Sequence, residues 1–290
     1  MKKTNFSPII SGTMTWGTWG KNYNINQMID LMHCFVENNI TSFDHADIYG
    51  DYTTETAFGK AFRESNIDRQ KVQFISKCGI QMVHAERKNI VKHYNYSKKY
   101  IIWSVEQSLK NLQTDYLDLL LLHRPSPLMQ ANEIAEAILQ LKTEGKIIDF
   151  GVSNFTPSQT DLIQTKTDIS FNQIEFSITH YEAMFNDSLV HMQTNNIIPM
   201  AWSPMGNVFK KEDVQSNNIK KLAETFTEKY SVSLDVLLLA WILKHPANIL
   251  PVCGTADKAR IANLMKATKV EMELQDWFAL LAESSGVDVP

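Results

Sequence analysis

Apolar and polar positions alternate in blocks along this chain. Short, mostly apolar runs of four to seven residues are followed, in most cases, by longer stretches whose apolar residues recur three and four positions apart. The first pattern is that of a buried strand and the second that of an amphipathic helix. The runs predict strands over Ile9–Met14, Thr41–Asp44, Val72–Lys77, Tyr116–Leu122, Ile148–Val152, Ser170–Ile174, Ile198–Ala201 and Ile249–Val252. The run Leu117–Leu122, one aspartate among leucines, suits a parallel strand buried on both faces. Eight strands alternating with helices are what a closed (β/α)₈ TIM barrel requires.

The helices carry their own punctuation. Asn26 and Thr53-Thr54 are expected to cap the helices that carry Met28, Leu31 and Met32, and Ala57, Phe58 and Ala61. Ser97 stands before Ile101, Val105, Leu109 and Leu112. Thr156-Pro157 opens a helix with proline at its tolerated first position. Gly145 stops the helix containing Leu141, the helix Ser233–Lys244 ends before Pro246, and Asp257 caps a helix running to Lys266. No Pro/Gly/Ser-rich linker and no low-complexity tract divides the chain, so residues 1–290 are expected to form a single α/β domain. Two long loops, Cys78–Tyr96 and Met205–Gln215, are expected to shape access to a site.

The polar residues that end the strands point to chemistry. Asp44 follows Ser42-Phe43, Lys77 follows Phe74-Ile75-Ser76, and His123 follows Leu122. Ser153-Asn154, Gln173 and Trp202-Ser203 end the next three runs. In a (β/α)₈ barrel all these positions converge on one mouth, where the active sites of such barrels lie. Tyr49 lies five residues beyond Asp44. A tyrosine is a poor proton donor at neutral pH unless tuned, a neighbouring ammonium favours its phenolate, and a carboxylate can hold that ammonium. A histidine can orient a substrate oxygen. Asp44, Tyr49, Lys77 and His123 together therefore make a proton donor for a carbonyl becoming an alcohol. Singly, each has a plainer explanation: a helix cap, a core or surface ring, a solvated charge, a hydrogen-bonded core histidine.

Composition narrows the field. The net charge of −4 gives no basic face for a phosphate backbone, so nucleic acid is not an expected partner. No apolar run approaches the ~20 residues of a membrane span. Met1-Lys2-Lys3 precedes no apolar stretch, so no secretory signal is expected. Three cysteines, Cys34, Cys78 and Cys253, with no C-x-x-C pair, argue for a reducing cytoplasm and against a disulfide frame or a metal centre. Cys78, next to Lys77, reads as a small apolar residue rather than a reactive thiol.

The chain resembles the aldo-keto reductases from about Ile9 to about Val289. The landmarks are Phe43-Asp44-His45-Ala46-Asp47-Ile48-Tyr49-Gly50, Ile75-Ser76-Lys77, Leu120-Leu121-Leu122-His123-Arg124-Pro125, Gly151-Val152-Ser153-Asn154-Phe155, Asn172-Gln173-Ile174-Glu175 and Ala201-Trp202-Ser203-Pro204-Met205-Gly206. It is similar in particular to bacterial oxidoreductases of the family that share Asp-His-Ala-Asp-Ile-Tyr-Gly. The resemblance implies a catalytic tetrad in which Tyr49 is the general acid, Lys77 tunes it, Asp44 anchors Lys77 and His123 orients the carbonyl. It implies NADP(H) as cofactor, which no G-x-G-x-x-G motif indicates here. Ser153, Asn154 and Gln173 would take the carboxamide, Trp202 would stack on the nicotinamide, Ser203, Met205 and Gly206 would lie along the pyrophosphate, and Gly12 and Thr13 would add a further contact. Gly254, Thr255 and Arg260 would hold the 2′-phosphate end. The chain departs from the family's pattern there, with Asp257 at a usually basic position and Asn263-Leu264 after the arginine. Few residues precede the first strand, so the family's hairpin plug is expected to be short or missing.

Met14, Trp16 and Trp19, beyond the first strand, are expected to form one wall of an apolar substrate pocket. The expected function is reduction of an aldehyde or ketone by an NADPH-dependent enzyme, a monomer or weak oligomer with a small-molecule partner. A non-catalytic nicotinamide sensor on the same fold is the alternative. A metal-dependent hydrolase using Asp44, His45, Asp47 and His123 would expect a richer ligand set.

Overall fold

Eight short strands run parallel, each pairing with the next along the chain. They are β1 (Ile10–Gly12), β2 (Ser42–Asp44), β3 (Gln73–Cys78), β4 (Leu117–Leu122), β5 (Ile147–Ser153), β6 (Phe171–Glu175), β7 (Ile198–Trp202) and β8 (Leu250–Cys253). β8 returns to β1, with Ile10 opposite Val252, and closes the barrel. The computed structural model describes residues 4–85 and 87–288; residues 1–3, which open the expected N-terminal segment, and Val289, where the resemblance ends, lie outside the described residues.

Side-chain alternation builds two cores from one sheet. Along β4, Leu119 and Leu121 join Ile10, Ile75, Phe171 and Met200 inside the barrel. Leu120 and Leu122 join the larger core between barrel and helices. That outer layer includes Phe35, Phe58 and Ile138 from the helices Ile25–Glu37, Thr54–Glu64 and Ala131–Thr143. Phe6 packs against the interior cluster, its ring edge-on to Phe171 at 5.2 Å. Among the described residues no strand precedes β1.

Local signals set most boundaries. Ser97 and Asp257 cap their helices by accepting from Tyr100 and Arg260 N–H. Thr156 and Gln159 form a capping box with Pro157 at the first helical position. The first helix differs from expectation: Asn24, not Asn26, is its cap, because Asn24 and Gln27 satisfy each other's backbone N–H groups reciprocally. β1 is also shorter than its apolar run. The chain turns after Gly12, and Trp16 N–H donates to the Thr13 carbonyl at 3.0 Å. The Cys78–Tyr96 loop contains an antiparallel ribbon, Ile80–Gln81 with His93–Tyr94.

Candidate active site

β2, β3 and β4 lie side by side, and their C-terminal ends bring the four expected residues together. Lys77 Nζ lies 2.7 Å from both oxygens of Asp44, donates to the His45 carbonyl at 2.8 Å and reaches Tyr49 Oη at 3.2 Å. Lys77 is 1% exposed and Asp44 3%. A buried lysine ordinarily loses its proton more easily. Burial does push Lys77 downward, but Asp44 and Tyr49 outweigh it and its pKa is raised, so the ammonium is secure. His123 completes the cluster, its ring centroid 6.0 Å from that of Tyr49. Burial first, then the charges of Lys77, Arg124 and Lys92, hold His123 well below its ordinary pKa, and the imidazole is neutral at pH 7. Its Nδ1 has no hydrogen-bond partner among the described residues.

Tyr49 departs from the simplest account of a tuned phenol. Lys77 does favour its phenolate, but burial and, after Lys77, the Asp44 carboxylate act the other way, and the net shift is upward. The phenol therefore keeps its proton across the neutral range. The turn that presents it is unusual: Gly50, Asp51 and Tyr52 all have positive φ, between 55° and 69°. A Cβ on Gly50 would come 2.4 Å from Thr54 Oγ1, so this position takes glycine.

The polar network continues round the mouth. Gln173 Nε2 donates to Asp44 Oδ1 at 3.2 Å, and Ser153 Oγ donates to the Gln173 carbonyl at 3.1 Å. Asn154 Nδ2 donates to Ser153 Oγ at 2.7 Å, and Trp202 Nε1 donates to Asn154 Oδ1 at 2.9 Å. A connected hydrogen-bonded chain, passing through the Gln173 backbone carbonyl, thus runs from Tyr49 to Trp202. Beyond it, Ser203 and Gly206 turn through left-handed conformations, and a Cβ on Gly206 would meet Thr179 Oγ1 at 2.0 Å. Met205 is partly buried against the outer core.

The other expected residues are placed less uniformly. Gly12 pairs with Asp44 across β1 and β2. Thr13 is fully buried, its hydroxyl donating to the Asp44 carbonyl and facing His45 Nδ1, both at 2.9 Å. Gly254 and Thr255 follow β8, and Arg260 lies in the first turn of the helix Lys258–Leu264; Gly254 has open space around it and Arg260 is exposed. Trp19 lies beside Tyr49, ring centroids 6.1 Å apart, and Met14 is exposed. Trp16 is a correction to the expected pocket wall. It is 0% exposed and packs on Phe35, Phe43 and Phe58, because the turn after Gly12 sends it into the outer core.

Other residues at and near the mouth escaped the strand-end pattern. Arg124, one residue past His123, has its guanidinium carbon 5.6 Å from the Trp202 ring centroid. Asp47 and Glu55 are buried carboxylates lining a cavity of about 490 Å³ together with Tyr52, Arg87, Tyr100 and Trp103. That cavity does not include Tyr49, Lys77 or His123. Cys78 is buried, and burial pushes its thiol pKa well up, as an apolar role requires.

The profile of the Aldo/keto reductase family matches residues 8–282. The chain is 38% identical over 291 residues to the Bacillus subtilis (strain 168) protein called uncharacterized oxidoreductase YcsN, covering 98% of this chain and 96% of that one. It is 37% identical over 253 residues to the 6-dehydroglucose reductase of Agrobacterium fabrum, covering 86% of this chain and 85% of that protein. Among solved structures, an aldo/keto reductase from Klebsiella pneumoniae in complex with NADP and acetate superposes with a TM-score of 0.77 at 25% identity, covering 95% of this chain and 90% of that chain. Barrel, strand-end cluster and sequence likeness lead to one assignment: the chain belongs to the aldo/keto reductase family of oxidoreductases.

Proposed function

We propose that this protein is an NADP(H)-dependent oxidoreductase that reduces an aldehyde or ketone to an alcohol, with Tyr49 as general acid. The observation that carries this reading is the buried ammonium of Lys77 held between Asp44 and Tyr49 Oη. In it, the substrate carbonyl oxygen sits against Tyr49 Oη and His123, whose neutral ring holds the oxygen by a hydrogen bond. When bound, reduced nicotinamide supplies the hydride to the carbonyl carbon. Tyr49 Oη passes its proton to the developing alkoxide, and the Lys77 ammonium stabilises the phenolate left behind.

The residues at the mouth fit the cofactor. Ser153, Asn154 and Gln173 present amide and hydroxyl groups with hydrogen-bonding capacity beyond the contacts they make with one another, suited to a carboxamide. Trp202 is half-buried with its indole fixed by Asn154, an aromatic face for the nicotinamide ring. Ser203, Met205 and Gly206 would follow the pyrophosphate, Gly12 and Thr13 would border it, and Gly254, Thr255 and Arg260 would meet the 2′-phosphate. The same reading has residues 1–290 act as one domain, in the cytoplasm, as a monomer or weak oligomer.

The experiment is a titration with NADPH and NADH followed by tryptophan fluorescence, with turnover of an aldehyde panel by wild type and Tyr49→Phe. Tight NADPH binding with quenching, and a fall in turnover of about 10²–10⁴-fold in the variant, are expected. Binding with no turnover would favour the nicotinamide sensor; normal turnover by Tyr49→Phe would remove Tyr49 from the acid role.

A further inference from the structure

Arg124 is posted at the mouth by a chain of requirements that begins at the end of the neighbouring strand, β3. Tyr96 Oη donates to the Arg124 carbonyl at 2.5 Å and accepts from the Arg124 N–H at 3.1 Å, so one hydroxyl clamps its backbone. The Tyr96 ring lies where a side chain on residue 79 would be: a Cβ there would come 2.0 Å from Tyr96 Cε1, at a φ of +114°. Gly79 makes room for Tyr96, and Tyr96 fixes Arg124.

From this anchored position the guanidinium lies over Trp202, and its charge acts on both Tyr49 and His123. Lys92, in the Cys78–Tyr96 loop, adds positive charge felt by His123. The Asp44 carboxylate is already held by Lys77. Among the described residues no carboxylate lies within ion-pair distance of Arg124. A guanidinium stays charged at any working pH, and a partly buried one without a counter-ion is costly to hold. Its planar fork matches a carboxylate bidentately.

We propose that Arg124 is a specificity-determining residue that selects carbonyl substrates bearing a carboxylate close to the carbonyl group. This rests on the carbonyl-reductase reading of the Tyr49 cluster. In the reaction the carbonyl carbon gains the hydride and the carbonyl oxygen gains the Tyr49 proton. The carboxylate is unchanged and remains paired with Arg124.

The test compares kcat/KM for two matched pairs: succinic semialdehyde against butanal, and 4-carboxybenzaldehyde against 4-methylbenzaldehyde. At least one pair should favour the carboxylate by about 10–100-fold in the wild type, the range of a hydrogen-bonded charge contact. That ratio should fall to near one in Arg124→Gln and be partly restored in Arg124→Lys, a pattern that a merely structural role would not produce. Turnover of the neutral aldehydes without any preference, or a preference that survives in Arg124→Gln, would overturn the proposal and leave the reductase reading standing. If the wild type turned over no aldehyde, the reductase reading would fall. Calorimetry of succinate binding to the NADP⁺-saturated protein then decides the Arg124 assignment separately. Binding weakened about tenfold or more in Arg124→Gln would support it, and equal or absent binding would overturn it.

Discussion

At the scale of single residues, burial decides what each charge does. Lys77 and Asp44 are both out of water, and each is tolerable because of the other. Lys77→Met should leave Asp44 as a buried, unpaired carboxylate and destabilise the fold by about 3–5 kcal/mol in urea unfolding. Adding Asp44→Asn should recover much of that loss; strictly additive effects would show that the two groups are uncoupled. Asp47 offers a pH test. Burial first, and the Glu55 carboxylate second, push its pKa up to about 8. An unfolded aspartate titrates near pH ~3.9. Between about pH 4 and pH 8 the folded chain therefore holds a proton that the unfolded chain has released. Stability falls as pH rises through that window, by at most about 1.4 kcal/mol per pH unit. Asp47→Asn carries no such proton, so its Tm relative to wild type should climb from pH 5 to about pH 8 and level off above it. Parallel Tm curves would assign the proton elsewhere.

At the scale of elements, caps and apolar periods carried most of the boundaries, and short contacts carried the exceptions. Ser97, Thr156 and Asp257 were legible as caps because each acts within three residues of itself. Asn26 was misplaced because two asparagines two positions apart compete, and only Asn24 has Gln27 at the reciprocal spacing. The ribbon inside Cys78–Tyr96 is invisible to periodicity, since each of its strands has two residues. The helix Lys258–Leu264 bears on cofactor choice. Its Asp257 carboxylate caps it by accepting from the Arg260 backbone N–H at 3.0 Å, and the Arg260 side chain is exposed. Arg260→Ala should weaken NADPH about tenfold or more and NADH by less than about threefold, measured by fluorescence titration. Equal losses would mean that Arg260 does not read the 2′-phosphate.

At the scale of the whole molecule, closure is what makes a site. Asp44 and Gln173 are far apart in sequence, yet their side chains meet at 3.2 Å because β2 and β6 both end at one mouth. A ligand seated across that mouth ties many strands together and is absent from the unfolded chain. NADPH at 100 times its Kd should add about 2.7 kcal/mol to stability. At about 2–4 °C per kcal/mol for a chain of this order of size, the Tm should rise by about 5–10 °C. NADH at the same concentration should raise it less, and no shift with either would remove the cofactor site from the mouth.

The sequence by itself determined the number and order of the strands, most helix starts and the polar residue at each strand end. These follow from alternation, helical spacing and capping, which are local and need no partner. Tertiary structure decided the rest. It sent Trp16 into the outer core rather than the mouth, through a turn whose geometry its residue types do not reveal. It reversed the expected direction of the Tyr49 shift, because burial and Asp44 outweigh Lys77 only once the barrel has closed around them. It placed Arg124 over Trp202 by way of Gly79 and Tyr96, contacts between residues whose nearness exists only in the folded chain. Periodicity tells which face a side chain takes, whereas closure and packing settle what it meets there.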